Sequence, residues 1–450
     1  MRRILTCLIG LILMTQTATA NNIPIQEVKS PGGITAWLVE DHMVPVVSLQ
    51  FAVRGGSSLD PQDKAGLANL VASTLDEGAG DLDAENFHKL LEDNSIYLSF
   101  SASRDEFRGG VKTLVANADM AWEMLSLAIT WPRFDAAEVA RVKEQIISDI
   151  QNNYSDPQWA AYRTMNNTIF AGHSYRLPGA GFEHTVTKLT PDDLRQWMQE
   201  RMARDELLVA VSGDITADQL APLLDKIFGG LPEKSKPFTL PEVKLQAAGK
   251  NFIIQRAVPQ TKLVMVQPAV ARADPDWYPA TIINYVLGGG GFNSRLMLEV
   301  REKRGLTYGV DTQVQHYDHA NIMVVGAATS NETAAQAVDL IKAEWQKMAD
   351  SGVTAEELKD AQTYLTGALP LALTSTDKIA DFVLQLQLEH LGMHYPQERL
   401  EKLNAVTAED VARAAKRLLN TQALTLIAVG DPVGIKAEKL PDPAQTRGVK

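Results

Sequence analysis

The sequence predicts an α+β protein built from two homologous domains, each an antiparallel-rich sheet sandwiched with helices. Three observations lead there. A helix-then-strand pattern occurs twice, a Pro/Gly/Lys-dense connection separates the copies, and strand-period runs cluster in each half without strict βαβ alternation. The first copy runs from Leu189-Thr-Pro-Asp-Asp-Leu194 into Leu207-Leu-Val-Ala-Val-Ser-Gly-Asp214. The second runs from Val406-Thr-Ala-Glu-Asp-Val411 into Leu424-Thr-Leu-Ile-Ala-Val-Gly-Asp431. Thr190 to Gly213 and Thr407 to Gly430 are equally spaced, so the copies align without a gap. Their offset far exceeds the roughly 20–50 residues of a solenoid unit, which leaves domain duplication.

The elements follow from local chemistry. Thr190 and Thr407 can each cap a helix whose first turn is acidic. The apolar run after each helix ends at Gly-Asp, a turn signal. An earlier echo, Asp135-Ala-Ala-Glu-Val139 and Thr354-Ala-Glu-Glu-Leu358, begins a long helix in each half. Strand candidates are Ile34–Val39, Val46–Val53, Ser95–Arg104 and Phe107–Lys112 in the first half. In the second they are Lys262–Gln267, Gly309–Gln315, Ile322–Ala328 and Leu424–Val429. The connection is Gly229-Gly-Leu-Pro-Glu-Lys-Ser-Lys-Pro-Phe-Thr-Leu-Pro241. The expected organisation is a signal peptide at 1–20, a first domain at 21–230, a linker at 231–248, a second domain at 249–435 and a tail at 436–450.

Composition narrows the class. With 450 residues, 45% hydrophobic and 22% charged, the chain has material for large cores and the balance of an ordinary globular protein. Met1-Arg-Arg-Ile-Leu-Thr-Cys-Leu-Ile-Gly-Leu-Ile-Leu-Met14 joins a basic start to a short apolar run, and Ala18-Thr-Ala20 supplies small residues for cleavage. A periplasmic or secreted address is therefore expected, with cleavage after Ala20. Cys7, the single cysteine, lies inside that segment, so no disulfide framework or thiol nucleophile is expected in the mature chain. A net charge of −12 argues against general nucleic-acid binding, which needs a basic footprint.

Several short pieces carry a more specific signal. In the first half they are Gly66-Leu-Ala68, Ile147-Ser-Asp-Ile150, Asp156-Pro157, His173-Ser-Tyr-Arg-Leu-Pro178 with Gly181, and Gly213-Asp214. In the second they are Gly288-Gly-Gly-Gly-Phe-Asn-Ser-Arg-Leu296 and Val300-Arg-Glu-Lys-Arg-Gly-Leu-Thr-Tyr308. In this order and spacing, over residues 23–432, the chain resembles the pitrilysin/insulinase-type zinc metallopeptidases, the group that includes mitochondrial processing peptidase.

The resemblance implies a missing metal site. On the segment Lys64–Gly78 such peptidases carry H-x-x-E-H, because residues at i, i+3 and i+4 share one helix face. Two imidazoles there hold zinc and the glutamate is the general base. In this chain those positions are Asn69, Ala72 and Ser73. The third ligand, a glutamate on a later helix, falls near Asp149, with Glu144 upstream; a lone carboxylate there reads as solvated helix exterior. No metal is expected on this chain.

The second half keeps its implied pattern. Read bare, Arg301 suggests a surface ion pair and Tyr308 a buried ring. The resemblance makes both substrate contacts, donors that can grip a peptide carbonyl. Gly288, Gly289, Gly290 and Gly291 read bare as a flexible connection; the resemblance makes them a substrate loop. They are not a phosphate loop, since no Gly-Lys-[Ser/Thr] follows. Other metal arrangements are weak: Gly392 interrupts any helix shared by His390 and His394, and Glu85, His88 and Glu92 read as a charged helix exterior. The implied function is that of a subunit pairing with a homologous H-x-x-E-H chain, which would hold the zinc, while this subunit binds an unfolded peptide or small protein. The alternatives are a non-catalytic peptide-binding or scaffolding protein of the cell envelope, and an independent peptidase.

Overall fold

The computed structural model describes residues 23–446; the expected signal segment 1–20 lies outside them. The chain forms two six-stranded sheets. The first contains β1 Gln26–Lys29, β2 Thr35–Glu40, β3 Val46–Arg54, β4 Tyr97–Ala102, β5 Glu106–Leu114 and β6 Leu207–Gly213, in the order β1-β2-β6-β3-β5-β4. The second contains β7 Asn251–Gln255, β8 Gln260–Pro268, β9 Thr307–Tyr317, β10 Ala320–Ser330, β11 Thr425–Gly430 and β12 Glu438–Leu440, in the order β12-β7-β11-β8-β10-β9.

Five strands correspond one to one, and so do their pairings. The repeated strands β6 and β11 each lie parallel to one neighbour, β2 or β7, and antiparallel to the other, β3 or β8. Only the outermost strand differs. The first sheet ends in the antiparallel hairpin β1–β2, whereas the second ends in β12, which runs parallel to β7. Residues 436–446, read from the sequence as a tail, thus contribute an edge strand.

Each sheet is buried on both faces, which is why β6 and β11 are nearly continuous apolar runs. Alternate residues divide the faces. Val209 and Val211 enter the first half's main core, while Leu426 and Ala428 enter the second's. The opposite faces are covered by an exchange of equivalent helices. Helix Thr376–Leu388 of the second half lays Val383, Leu384 and Leu388 against Val39, Ala52 and Ala210 of the first sheet. Helix Pro157–Ile169 of the first half lays Ala160, Ala161, Met165 and Ile169 against Ile254, Val264, Ile427 and Val429 of the second.

Polar contacts follow the same seam. Lys112 pairs with Asp377 at 2.6 Å, Arg108 with Asp381 at 3.1 Å, and Gln387 Nε2 donates to the Val209 carbonyl at 2.9 Å. Nearby, buried Asp105 accepts bonds from the Tyr175 hydroxyl and the Asp318 N–H, and burial pushes its carboxyl up to about 6. Among the described residues, no helix is long and apolar enough to cross a membrane.

Candidate functional site

The segment Lys64–Gly78 is only partly helical. The α-helix spans Leu67–Ala72 and gives way to turns from Ser73 onward. Gly66 opens it at φ +97°, with the Ala180 carbonyl 2.7 Å from where a Cβ would stand, so glycine is required by both conformation and space. Asp60 caps the helix from below, accepting N–H bonds from Gly66 at 3.0 Å and Ala68 at 3.2 Å.

Asn69, Ala72 and Ser73 lie on one helical turn: the Ser73 N–H reaches the Asn69 carbonyl at 2.9 Å. The Ser73 hydroxyl donates to that same carbonyl at 2.9 Å, and Ala72 is buried in the core. Helix Ala136–Asn153 turns Val139, Val142, Ile146 and Ile150 into this core, whereas Asp149 and Glu144 point into solvent. Of the three positions Ala72 alone is buried; Asn69 and Ser73 are half-exposed. Among the described residues no group of three or more His, Cys, Asp or Glu side chains is arranged to hold a metal ion. His390 and His394 lie beyond the end of helix Thr376–Leu388 and share no helix face.

In the second half, the glycine-rich stretch differs from a free loop. Helix Trp277–Asn284 widens over Tyr285–Gly289, and the Gly290 N–H closes on the Tyr285 carbonyl at 2.8 Å in an i to i+5 pattern. A second such wide turn spans Met297–Glu302, where the Lys303 N–H reaches the Leu298 carbonyl at 3.0 Å. Wide turns of this kind recur at functional sites. Gly288 is buried against β9, with the Thr312 amide 2.6 Å from its missing Cβ. That glycine serves close packing rather than mobility. Gly289 and Gly290 crowd Asn284 and Tyr285, and only Gly291, at φ +60°, faces open space. Arg295 anchors the loop's base through a bidentate pair to Glu357, both bonds 2.7 Å.

These turns bring Arg301 and Tyr308 together. The Arg301 guanidinium lies over the Phe292 ring at 4.8 Å and the Tyr308 ring at 5.9 Å. Tyr308, at the start of edge strand β9, is 92% exposed, and Phe292 is also exposed. Arg301 has no carboxylate partner among the described residues, so its N–H groups are available to an incoming acceptor. The bare expectation of an ion pair and a buried ring does not describe this pair. The one signal of Phe292 in the sequence is an aromatic residue directly after four glycines. No hydrogen bond or ring contact among the described residues links Arg301 or Tyr308 to Asn69 or Ser73.

Two sandwiched halves, one with a helix where a zinc motif would stand, define a peptidase-like protein. Residues 36–181 match the family described as insulinase (peptidase family M16), and residues 188–365 match the peptidase M16 inactive domain. The chain is 25% identical over 429 residues to the "non-peptidase homolog YmxG" of Helicobacter pylori, covering 95% of this chain and 98% of that one. It is 23% identical over 397 residues to the "uncharacterized zinc protease YmxG" of Bacillus subtilis, covering 88% and 96%. In fold it superposes on a peptidase M16 inactive domain from Pseudomonas fluorescens with a TM-score of 0.86 at 24% identity, over 92% of this chain and 99% of that one. The chain belongs to the insulinase family, peptidase M16.

Proposed function

We propose that this chain is the zinc-less subunit of a two-chain peptidase of the periplasm or the exterior. A homologous partner carrying H-x-x-E-H would hold the metal, and Arg301 and Tyr308 would contact the peptide in trans. The observation that carries this reading is the exposed Arg301–Phe292–Tyr308 stack. It holds a guanidinium without a carboxylate partner among the described residues beside a phenol on an edge strand, whose unpaired backbone groups suit an extended peptide. The partner's zinc would supply the activated water. This chain would grip a carbonyl with two donors and hold the backbone in register, the positioning share of catalysis.

The test is the peptidase rate of the complex formed with the zinc-bearing homologue. Arg301→Ala should lower kcat/KM by about 100-fold and Tyr308→Phe by about tenfold, the scale of losing a donor to a developing oxyanion. Both side chains are at the surface, so the circular dichroism spectrum should not change. Wild-type rates in both variants would contradict the reading. The H. pylori relative's designation as a non-peptidase homologue supports a second reading, in which the same surface binds peptides or scaffolds an envelope complex without catalysis. Peptide binding by the isolated chain, with no catalytic partner, would favour it.

A further inference from the structure

Away from Arg301 and Tyr308, a cavity of about 840 Å³ opens between the end of helix Ala136–Asn153, helix Pro157–Ile169 and the loop 171–182. Its size lies within the roughly 300–1,000 Å³ usual for small-molecule sites. Arg163, Arg176 and Lys188 line it, with Asp63 as the carboxylate among its lining residues and Trp159 and Leu177 as apolar wall.

Arg163 is the unusual member. It is only 9% exposed, yet it forms no ion pair among the described residues. Its guanidinium donates to the Arg176 carbonyl and rests on the Phe182 ring at 5.2 Å; His184 stacks on that ring at 5.5 Å. The charges that act on it are those of Arg176 and Arg104, both of like sign. Burial, and after it these like charges, pulls its pKa down to about 10, which leaves it protonated at neutral pH. Arg176 and Lys188 likewise have no carboxylate partner among the described residues. Nearby Glu183 is engaged by the Tyr154 hydroxyl at 2.7 Å and by Gln151 at 2.9 Å.

A buried cation facing other cations is costly, and a chain with net charge −12 has acidic residues to spare for pairing it. A bound dianion would offset that cost. We propose that the cavity binds an organic phosphate monoester with a flat aromatic body. The phosphate would sit among Arg163, Arg176 and Lys188, and the ring against Trp159 and Leu177. Guanidinium pairs suit a phosphate's several oxygens, and the lysine adds a point charge. The Phe182–His184 stack holds Arg163 in place before any ligand arrives, so little side-chain entropy remains to be lost on binding.

Calorimetric titration of the full chain with phenyl phosphate tests this directly. Phenyl phosphate should bind about tenfold more tightly than inorganic phosphate or benzoate, while phenol should give no binding heat. Arg176→Gln and Lys188→Gln should each weaken it about tenfold, with the ligand-free melting temperature unchanged, and raising the salt should weaken it further. Several results would overturn the proposal. They are no heat at about 5 mM phenyl phosphate, an affinity unchanged in both variants, benzoate binding equally well, or inorganic phosphate binding equally well. The last two would point to a carboxylate site and to a simple anion site. Lys188 is exposed, so its variant remains informative even if changes at the arginines disturb folding.

Discussion

Asp60 caps the helix Leu67–Ala72 from a buried position. It is buried, and burial outweighs its bonds from Gly66 and Ala68, pushing its carboxyl up to about 7. The folded state therefore keeps a proton that the unfolded chain releases near pH 4. Stability from this group is present below that pH and is lost as the pH rises through about 7. Asp60→Asn should flatten that decline. Urea unfolding at pH 4.5 and 7.5 should show the wild type losing about 2–4 kcal/mol more than the variant across the interval. An identical pH dependence in both would mean the carboxyl is ionised throughout. Residues of this kind are hidden in the sequence, because Asp60 looks like any turn aspartate until the chain packs over it. The spacing of Asn69, Ala72 and Ser73, and of Arg301 and Tyr308, was legible because each set lies within one local segment. Phe292 was not, since its place beneath Arg301 depends on two wide turns.

The helices Pro157–Ile169 and Thr376–Leu388 stand at equivalent positions in the duplication, and each covers the other half's sheet. The repeat itself could be read from the sequence, because capping threonine, helix, apolar run and Gly-Asp are local features. The exchange could not: an apolar helix stripe states that something is covered, not which sheet. The short edge strands β1 and β12 escaped for a related reason, being mostly exposed and without an apolar run. The expected strand Ser95–Arg104 shrank to Tyr97–Ala102, with Ser95 in the left-handed region at φ 51°. If the exchanged helices carry the seam, Met165→Ala and Leu384→Ala should each cost about 2–5 kcal/mol in denaturant unfolding. Leu371→Ala, at an exposed position, should stay within about 0.5 kcal/mol of wild type. Similar losses at all three sites would contradict the arrangement.

At the scale of the whole molecule, the two halves have diverged in complementary ways. In the first half, Ala72 is buried and Ser73 is bonded to its own helix turn, while Asn69 stays half-exposed. The second half displays an arginine and a tyrosine that no acid among the described residues engages, beside a loop anchored by Arg295 and Glu357. Among the described residues no metal-ligand set is arranged, and the proposed peptide contact at Arg301 and Tyr308 therefore calls for a second chain to hold the zinc. The most direct test is purification from the native source, with zinc content and copurifying chains determined on the same sample. The expected result is a stoichiometric complex with an H-x-x-E-H homologue, one zinc per pair, and peptidase activity that disappears when the chains are separated. Recovery of this chain alone, with stoichiometric zinc and chelator-sensitive cleavage, would contradict it.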